Sequence, residues 1–153
     1  MDKLFDFDEQ LNVGNDGESV FAKHYARLKP VKSTDRKIDF ILGDGRSVEL
    51  KTDTYDMEKT PNFFMEIFGD IDAEKIGGPW RAMQDGVDLF VYFFPKNKTF
   101  FWFKTVALCR KLDELVAQQN LTPKEIRNKG WSARGYVVPR NLLKSVCIKE
   151  DKF

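Results

Sequence analysis

The segment from Val87 to Lys104 constrains the fold more than any other part of the chain. Two strand-sized apolar runs, "VDLFVYFF" at 87–94 and "TFFWFK" at 99–104, flank the turn-forming "PKNK", a hairpin signature. Neither run alternates apolar with polar, so apolar side chains point to both faces and each strand needs cover on two sides. A sheet centre buried between layers follows, and with helices read on either side the fold class is α/β or α+β, with a mixed central β-sheet flanked by helices. The aromatic run Phe100, Phe101, Trp102, Phe103 would suit base stacking. Its two-sided apolarity points instead to core or to a dimer interface.

At 153 residues the chain reads as one domain. No apolar run approaches the ~20 residues that span a bilayer. The acidic start "MDKLFDFDEQ" lacks the basic-then-apolar order of a signal peptide. A cytosolic protein with no membrane partner is the expectation. Cys109 and Cys147 sit far apart in apolar surroundings, as reduced thiols do, and the single histidine, His24, leaves no Cys/His set for a structural zinc. The net charge of +1 by itself names no polyanion partner. Its distribution is uneven: acids crowd the first twenty residues, and Lys124, Arg127, Lys129, Arg134, Arg140, Lys144 and Lys149 mark the last third. Such a surface can meet phosphates on one side and hold cations on another.

Asn15-Asp16-Gly17 precedes Phe21, Tyr25 and Leu28 at helical spacing, which predicts a helix over about 16–28, ended by Pro30. Strands follow at about 37–42, 46–52 and 62–68, the third expected beside the first two, and a short helix begins near Pro79. "TVALCRKLDELVAQQ" places Val106, Leu108, Leu112, Leu115 and Val116 on one helical face. "TPKEIRNKG" reads as a short helix with a Thr cap and a closing Gly130, and a strand at about 135–138, a helical turn and a terminal strand complete the chain.

Within "KIDFILGDGRSVELK", residues 37–51, three ionisable side chains interrupt apolar strands: Asp39, Glu49 and Lys51. A three-residue loop, Gly43-Asp44-Gly45, pairs Leu42 with Arg46, Phe40 with Val48 and Asp39 with Glu49, and puts every apolar partner on one face. Asp39 and Glu49 are then cross-strand neighbours at ~5 Å, and Lys51 points the same way. Two adjacent carboxylates repel. A divalent cation removes the conflict, and Mg²⁺ is commonly held by one or two carboxylates with water and phosphate oxygens. The structural alternative is an exposed face on which Lys51 offsets the two acids.

Asp39, nine intervening residues and then Glu49-Leu50-Lys51 at the end of a hairpin resembles the PD-(D/E)XK, or restriction-endonuclease-like, nuclease superfamily. Ile38 stands where the name has proline. The element order over about residues 15–108 is also similar: a helix bearing an acid, the hairpin, a third strand, and a helix followed by more strands. "VELKT" looks most like small phage endonucleases, Holliday-junction resolvases and the smallest type II restriction enzymes. The resemblance implies a restriction-endonuclease-like fold and a DNA endonuclease dependent on Mg²⁺, with Mn²⁺ as a substitute. Asp39 and Glu49 would hold the metal, Glu18 on the first helix would complete the site, and Lys51 would assist the attacking water. A homodimer would supply the two sites that cutting both strands requires.

Further candidates rest on the residues alone. Glu18 would also suit a helix start through the macrodipole. Glu66, inside the apolar "NFFMEIF", calls for a partner and would serve as an acid behind the metal ligands, as a base for Lys51, or as half of a structural ion pair. Arg81 and Gln84, one turn apart behind Gly77-Gly78-Pro79-Trp80, suit a phosphate, or a connector anchored by Trp80. Arg134 and Arg140 are candidate DNA-backbone contacts, and His24 a rim residue. The rival readings are a nucleic-acid-binding module without cleavage and a protein-interaction domain.

Overall fold

In the computed structural model, which describes residues 7–35, 37–71, 75–128 and 130–153, the chain runs through α1 (Phe7–His24), β1 (Val31–Lys32), β2 (Phe40–Ile41), β3 (Ser47–Thr52), β4 (Asn62–Asp70), β5 (Lys75–Ile76), α2 (Gly78–Gln84), β6 (Leu89–Phe94), β7 (Thr99–Lys104), α3 (Thr105–Ala117), β8 (Thr122–Asn128), β9 (Trp131–Pro139) and β10 (Cys147–Lys152). The class is α+β. A mixed six-stranded sheet has the order β1-β2-β3-β6-β7-β10, and a four-stranded antiparallel sheet the order β5-β4-β9-β8. Within the larger sheet only β3 and β6 are parallel, so the chain between them forms a crossover.

The aromatic hairpin lies inside this sheet and is buried on both faces, as its composition demands. On one face Val91, Phe93, Phe100 and Trp102 join Phe40, Leu42 and Val48 beneath Phe21 of α1 and Tyr25 just after it. On the other, Phe90, Tyr92, Phe94, Phe101 and Phe103 pack against Leu108, Leu112 and Leu115 of α3, Ala82 of α2, and Phe63, Met65 and Val138 of the second sheet. Each fully buried Phe or Leu contributes about 1.5–3 kcal/mol of burial free energy. The run Phe100–Phe103 is therefore core. Val106, expected on the same α3 face, is instead 47 % exposed.

Three expectations are corrected. α1 begins at Phe7, so Asn15-Asp16-Gly17 lies inside the helix rather than capping it. Local cap preference is weak against a helix anchored at its far end by Phe21 and Tyr25, which are 0 % and 6 % exposed. "TPKEIRN" is a strand: Thr122 to Asn128 pair with Val137 to Trp131, and Pro123 is tolerated because β8 is an edge. Gly130, at φ 89°, belongs to the β8–β9 turn rather than a helix end. Finally, β4 does not border the β2–β3 hairpin but opens the second sheet, paired with β5 and β9.

Candidate active site: a carboxylate cluster beside a groove

The β2–β3 hairpin has the register that the apolar pattern requires, with Phe40 opposite Val48 and Ile41 opposite Ser47. Leu42 N–H donates to Arg46 O at 2.9 Å and Gly45 N–H to Leu42 O at 2.9 Å, with Gly45 in the left-handed region at φ 91°. The ladder ends at Phe40. Beyond it Asp39 N–H reaches Val48 O at 3.1 Å, and the Asp39 side chain takes over the pairing: its Oδ2 accepts Leu50 N–H at 2.7 Å. This bond holds the carboxylate against β3, where its charge acts on the Glu49 carboxyl.

Glu18 comes to the same place from α1. The helix crosses the end of β3 so closely that a Cβ on Gly17 would lie 2.0 Å from Thr52 Oγ1; a side chain there would push the helix away. Glu18, the next residue, lies near enough to Asp39 for its charge to act on that carboxyl. Its Oε2 also lies 3.0 Å from Lys32 Nζ, though without hydrogen-bond alignment, so this buried oxygen has no aligned donor. Glu18, Asp39 and Glu49 thus lie near enough at the sheet margin for their charges to act on one another.

Burial is the main cause of raised affinity for protons here. It pushes Asp39 up to about 6, helped by Glu18 and opposed by Leu50 N–H and Lys32. It pushes Glu49 up to about 8, helped by Asp39 and opposed by Arg81. Without a cation Glu49 therefore retains its proton at neutral pH, which is how buried like charges avoid one another.

Lys51, two residues on from Glu49, lines a groove of about 910 Å³, with Glu66 also in its wall. Burial raises the Glu66 pKa, and the nearby charges of Lys51 and Arg81 oppose the rise. Arg81 is brought close because α2 starts directly on β4: Gly78 has φ +56° and a Cβ there would lie 2.2 Å from Glu66 O. Only glycine satisfies both the backbone angle and the approach. Arg81 thus acts on Glu49 and Glu66 and also pairs with Asp85 at 3.5 Å. Trp80 serves as the anchor, its Nε1–H donating to Asp113 Oδ1 at 2.8 Å.

Other candidates fall outside the cluster. Arg140 donates to Thr60 O at 2.7 Å and Met57 O at 3.2 Å and covers the Phe94 ring. It braces a loop and is not free to grip DNA, which corrects that expectation. Arg134 is exposed on β9 and stands opposite Glu125 of β8. Gln84 is exposed at the end of α2. His24 is half-buried, bonded to Asp151 Oδ2 at 3.0 Å and stacked on Phe153 at 4.2 Å, so it pins the C-terminal strand to α1. Cys109 and Cys147 are free thiols.

Two site residues escaped the sequence reading. Tyr92 Oη–H donates to Asp53 Oδ2 and accepts Phe64 N–H at 3.0 Å, tying β6, the end of β3 and β4 together next to Lys51. The available signal was a phenol inside an apolar strand, and an acid two positions after Lys51. Among the described residues no three His, Cys, Asp or Glu side chains form a ready-made metal cage, and no helix is long and apolar enough to cross a membrane. No family model, curated protein or solved structure matches the chain.

Proposed function

We propose that the chain is a metal-dependent DNA endonuclease, hydrolysing phosphodiester bonds with Mg²⁺ or Mn²⁺. The observation that carries this reading is the nearness of Glu18, Asp39 and Glu49, whose charges act on one another, with Lys51 following on the same strand. Buried carboxyls close together destabilise the charged form of one another; a binding surface has no need of them, whereas a hard cation does. The resemblance of Asp39 and Glu49-Leu50-Lys51 to the PD-(D/E)XK superfamily supports the same conclusion.

The residues fit such a cation. All donors are hard oxygens, and the Glu18 Oε2 atom is buried without an aligned hydrogen-bond donor. Mg²⁺ requires only one or two carboxylates, the rest of its shell being water and phosphate oxygens. When bound it supplies Lewis acidity at the phosphodiester and acidifies a water. Asp39 and Glu49 would hold it, with Glu18 nearby as an outer residue of the site rather than a third member of a cage. Lys51, in the groove wall, orients a water or neutralises charge growing on phosphorus. Glu66 and Arg81 fix the local field around that ammonium.

Incubating the protein with single-stranded, duplex and four-way-junction DNA, with and without Mg²⁺ or Mn²⁺, tests the reading. Cutting that needs the metal supports it; intact DNA in every tube contradicts it. One observation favours a second reading: Lys32 Nζ already neutralises Glu18 at 3.0 Å, as suits a nucleic-acid-binding module without cleavage. That reading predicts DNA binding that is indifferent to Asp39 and Glu49.

A further inference from the structure

The groove beside Lys51 is built for more than a single reacting phosphate. It runs from the end of β3, across the loop that follows, to the edge strand β8, and its lining includes Tyr55, Lys59, Lys124 and Arg127. Tyr55 is 59 % exposed, an unusual position for a large aromatic ring on a polar loop. Lys59, Lys124 and Arg127 are exposed as well, and neither Lys124 nor Arg127 has an ion-pair partner among the described residues. Of the groove's four carboxylates, Asp53, Asp56, Glu66 and Glu125, the first two are already engaged. Asp53 is bonded to Tyr92 and to Tyr55 N–H, and Asp56 to Glu58 N–H and Asn97.

The loop that presents Tyr55 is also held in place. Asp53 Oδ1 accepts Tyr55 N–H at 2.9 Å, Asn97 Oδ1 accepts Met57 N–H at 2.8 Å, and Arg140 clamps the Met57 and Thr60 carbonyls. The aromatic ring is therefore presented from a braced support, and little ordering cost is left for a ligand to meet.

We infer that this groove binds an unpaired strand of nucleic acid, with Tyr55 stacking on a base and Lys124 and Arg127 meeting phosphates, so that the substrate is single-stranded or carries a single-stranded arm. A volume of about 910 Å³ is at the upper end of the ~300–1,000 Å³ of small-molecule sites. A short segment of a single strand is a ligand of that size. Exposed aromatic rings beside cations are the elements of sequence-tolerant single-strand binding, because every base has a face to stack and every linkage a phosphate. The inference rests on the nuclease reading for the fate of the strand, and not for its binding.

Fluorescence anisotropy in the presence of a chelator reads binding apart from hydrolysis. The probes are a labelled oligonucleotide as single strand, as blunt duplex and as a fork with one unpaired arm. The single strand and the fork are expected to bind at least about tenfold more tightly than the duplex. Tyr55→Ala should weaken single-strand binding on the order of tenfold, and Tyr55→Phe should retain it. The double variant Lys124→Ala, Arg127→Ala should lower the slope of log affinity against log salt by about 1.4, at ~0.7 per phosphate contact. Duplex bound as tightly as single strand, or Tyr55→Ala indistinguishable from the parent, overturns the inference. Preferential single-strand binding by a parent protein that cuts nothing with Mg²⁺ or Mn²⁺ upholds the groove and removes the nuclease reading instead.

Discussion

Asp39 Oδ2 accepts the Leu50 N–H at 2.7 Å, so a side chain closes the hairpin where a backbone carbonyl would otherwise do so. The same bond fixes the carboxylate beside Glu49. Structure and site chemistry therefore make different demands on this residue, and substitution separates them. Asp39→Asn keeps an oxygen acceptor for Leu50 and removes a charge, so the metal-free protein is expected to be as stable as the parent or slightly more so. Asp39→Ala leaves a half-buried N–H unpaired, at a cost of about 1–3 kcal/mol. Urea denaturation of the two variants in chelator checks the difference; equal loss in both would mean that charge, not the acceptor, matters at this position.

Protons and cations compete for the cluster. The ordinary carboxyl values are 3.8 for Asp and 4.5 for Glu, and the folded protein raises Asp39 to about 6 and Glu49 to about 8. The native state thus binds more protons than the unfolded chain between those limits. Its contribution to stability is complete below about pH 4 and is lost as pH rises through the folded values. Without metal, the thermal midpoint should fall from pH 5 to pH 9, and Glu49→Gln should flatten that fall. Mg²⁺ should raise the midpoint more at pH 8 than at pH 5.5. An equal metal effect at both pH values would show that these carboxyls are not its ligands.

Arg140 braces the loop from Met57 to Thr60 through its bonds to backbone carbonyls. Arg140→Ala is expected to cost about 1.5–3 kcal/mol, the usual range for charge-assisted hydrogen bonds, and to loosen the loop that carries Tyr55. Hydrogen exchange at Tyr55 and Lys59 amides should accelerate. Unchanged stability with weakened DNA affinity would return Arg140 to the role of a phosphate contact.

Tyr92→Phe removes the donor to Asp53 and the acceptor of Phe64 N–H at once. With both groups beside a buried strand, the expected loss is about 2 kcal/mol of stability. Chemical denaturation measures it directly, and an unaltered midpoint would mean that water replaces the hydroxyl.

The parts legible in the sequence were those with short-range determinants. Alternation of Phe40 and Leu42 against Val48 and Leu50 specifies the hairpin register, because a one-residue slip would turn apolar side chains outward; Ile38, expected on the same face, lies beyond the ladder and packs against the other core. The two-sided burial of Phe90–Phe94 and Phe100–Phe103 follows from composition in the same way. Contacts between distant segments were not legible. "TPKEIRN" has a helix-start composition, yet pairing with Trp131–Val137 makes it a strand, and nothing local signals that partner. Arg140 looks like any surface arginine until Thr60, eighty positions earlier, is known to lie beneath it. Glu18 was legible as an acid near a helix start, but for a different reason than its position now gives: it reaches Asp39 from the helix interior, next to the glycine that lets α1 approach Thr52.

The most direct test of the metal-site assignment is a cleavage measurement on folded variants with saturating DNA and Mg²⁺. Asp39→Asn, Glu49→Gln and Lys51→Ala, each first verified as folded by circular dichroism, are compared with the parent for product formed per unit time. The proposal predicts that the parent cuts, that the two amide variants lose at least about a thousandfold in rate, and that Lys51→Ala loses about 10²–10⁴-fold, the usual contribution of a proton-transferring side chain, with DNA binding only modestly reduced. Cutting by all three variants at the parent rate would contradict it, because the hydrolytic centre would then lie somewhere other than beside Asp39 and Glu49.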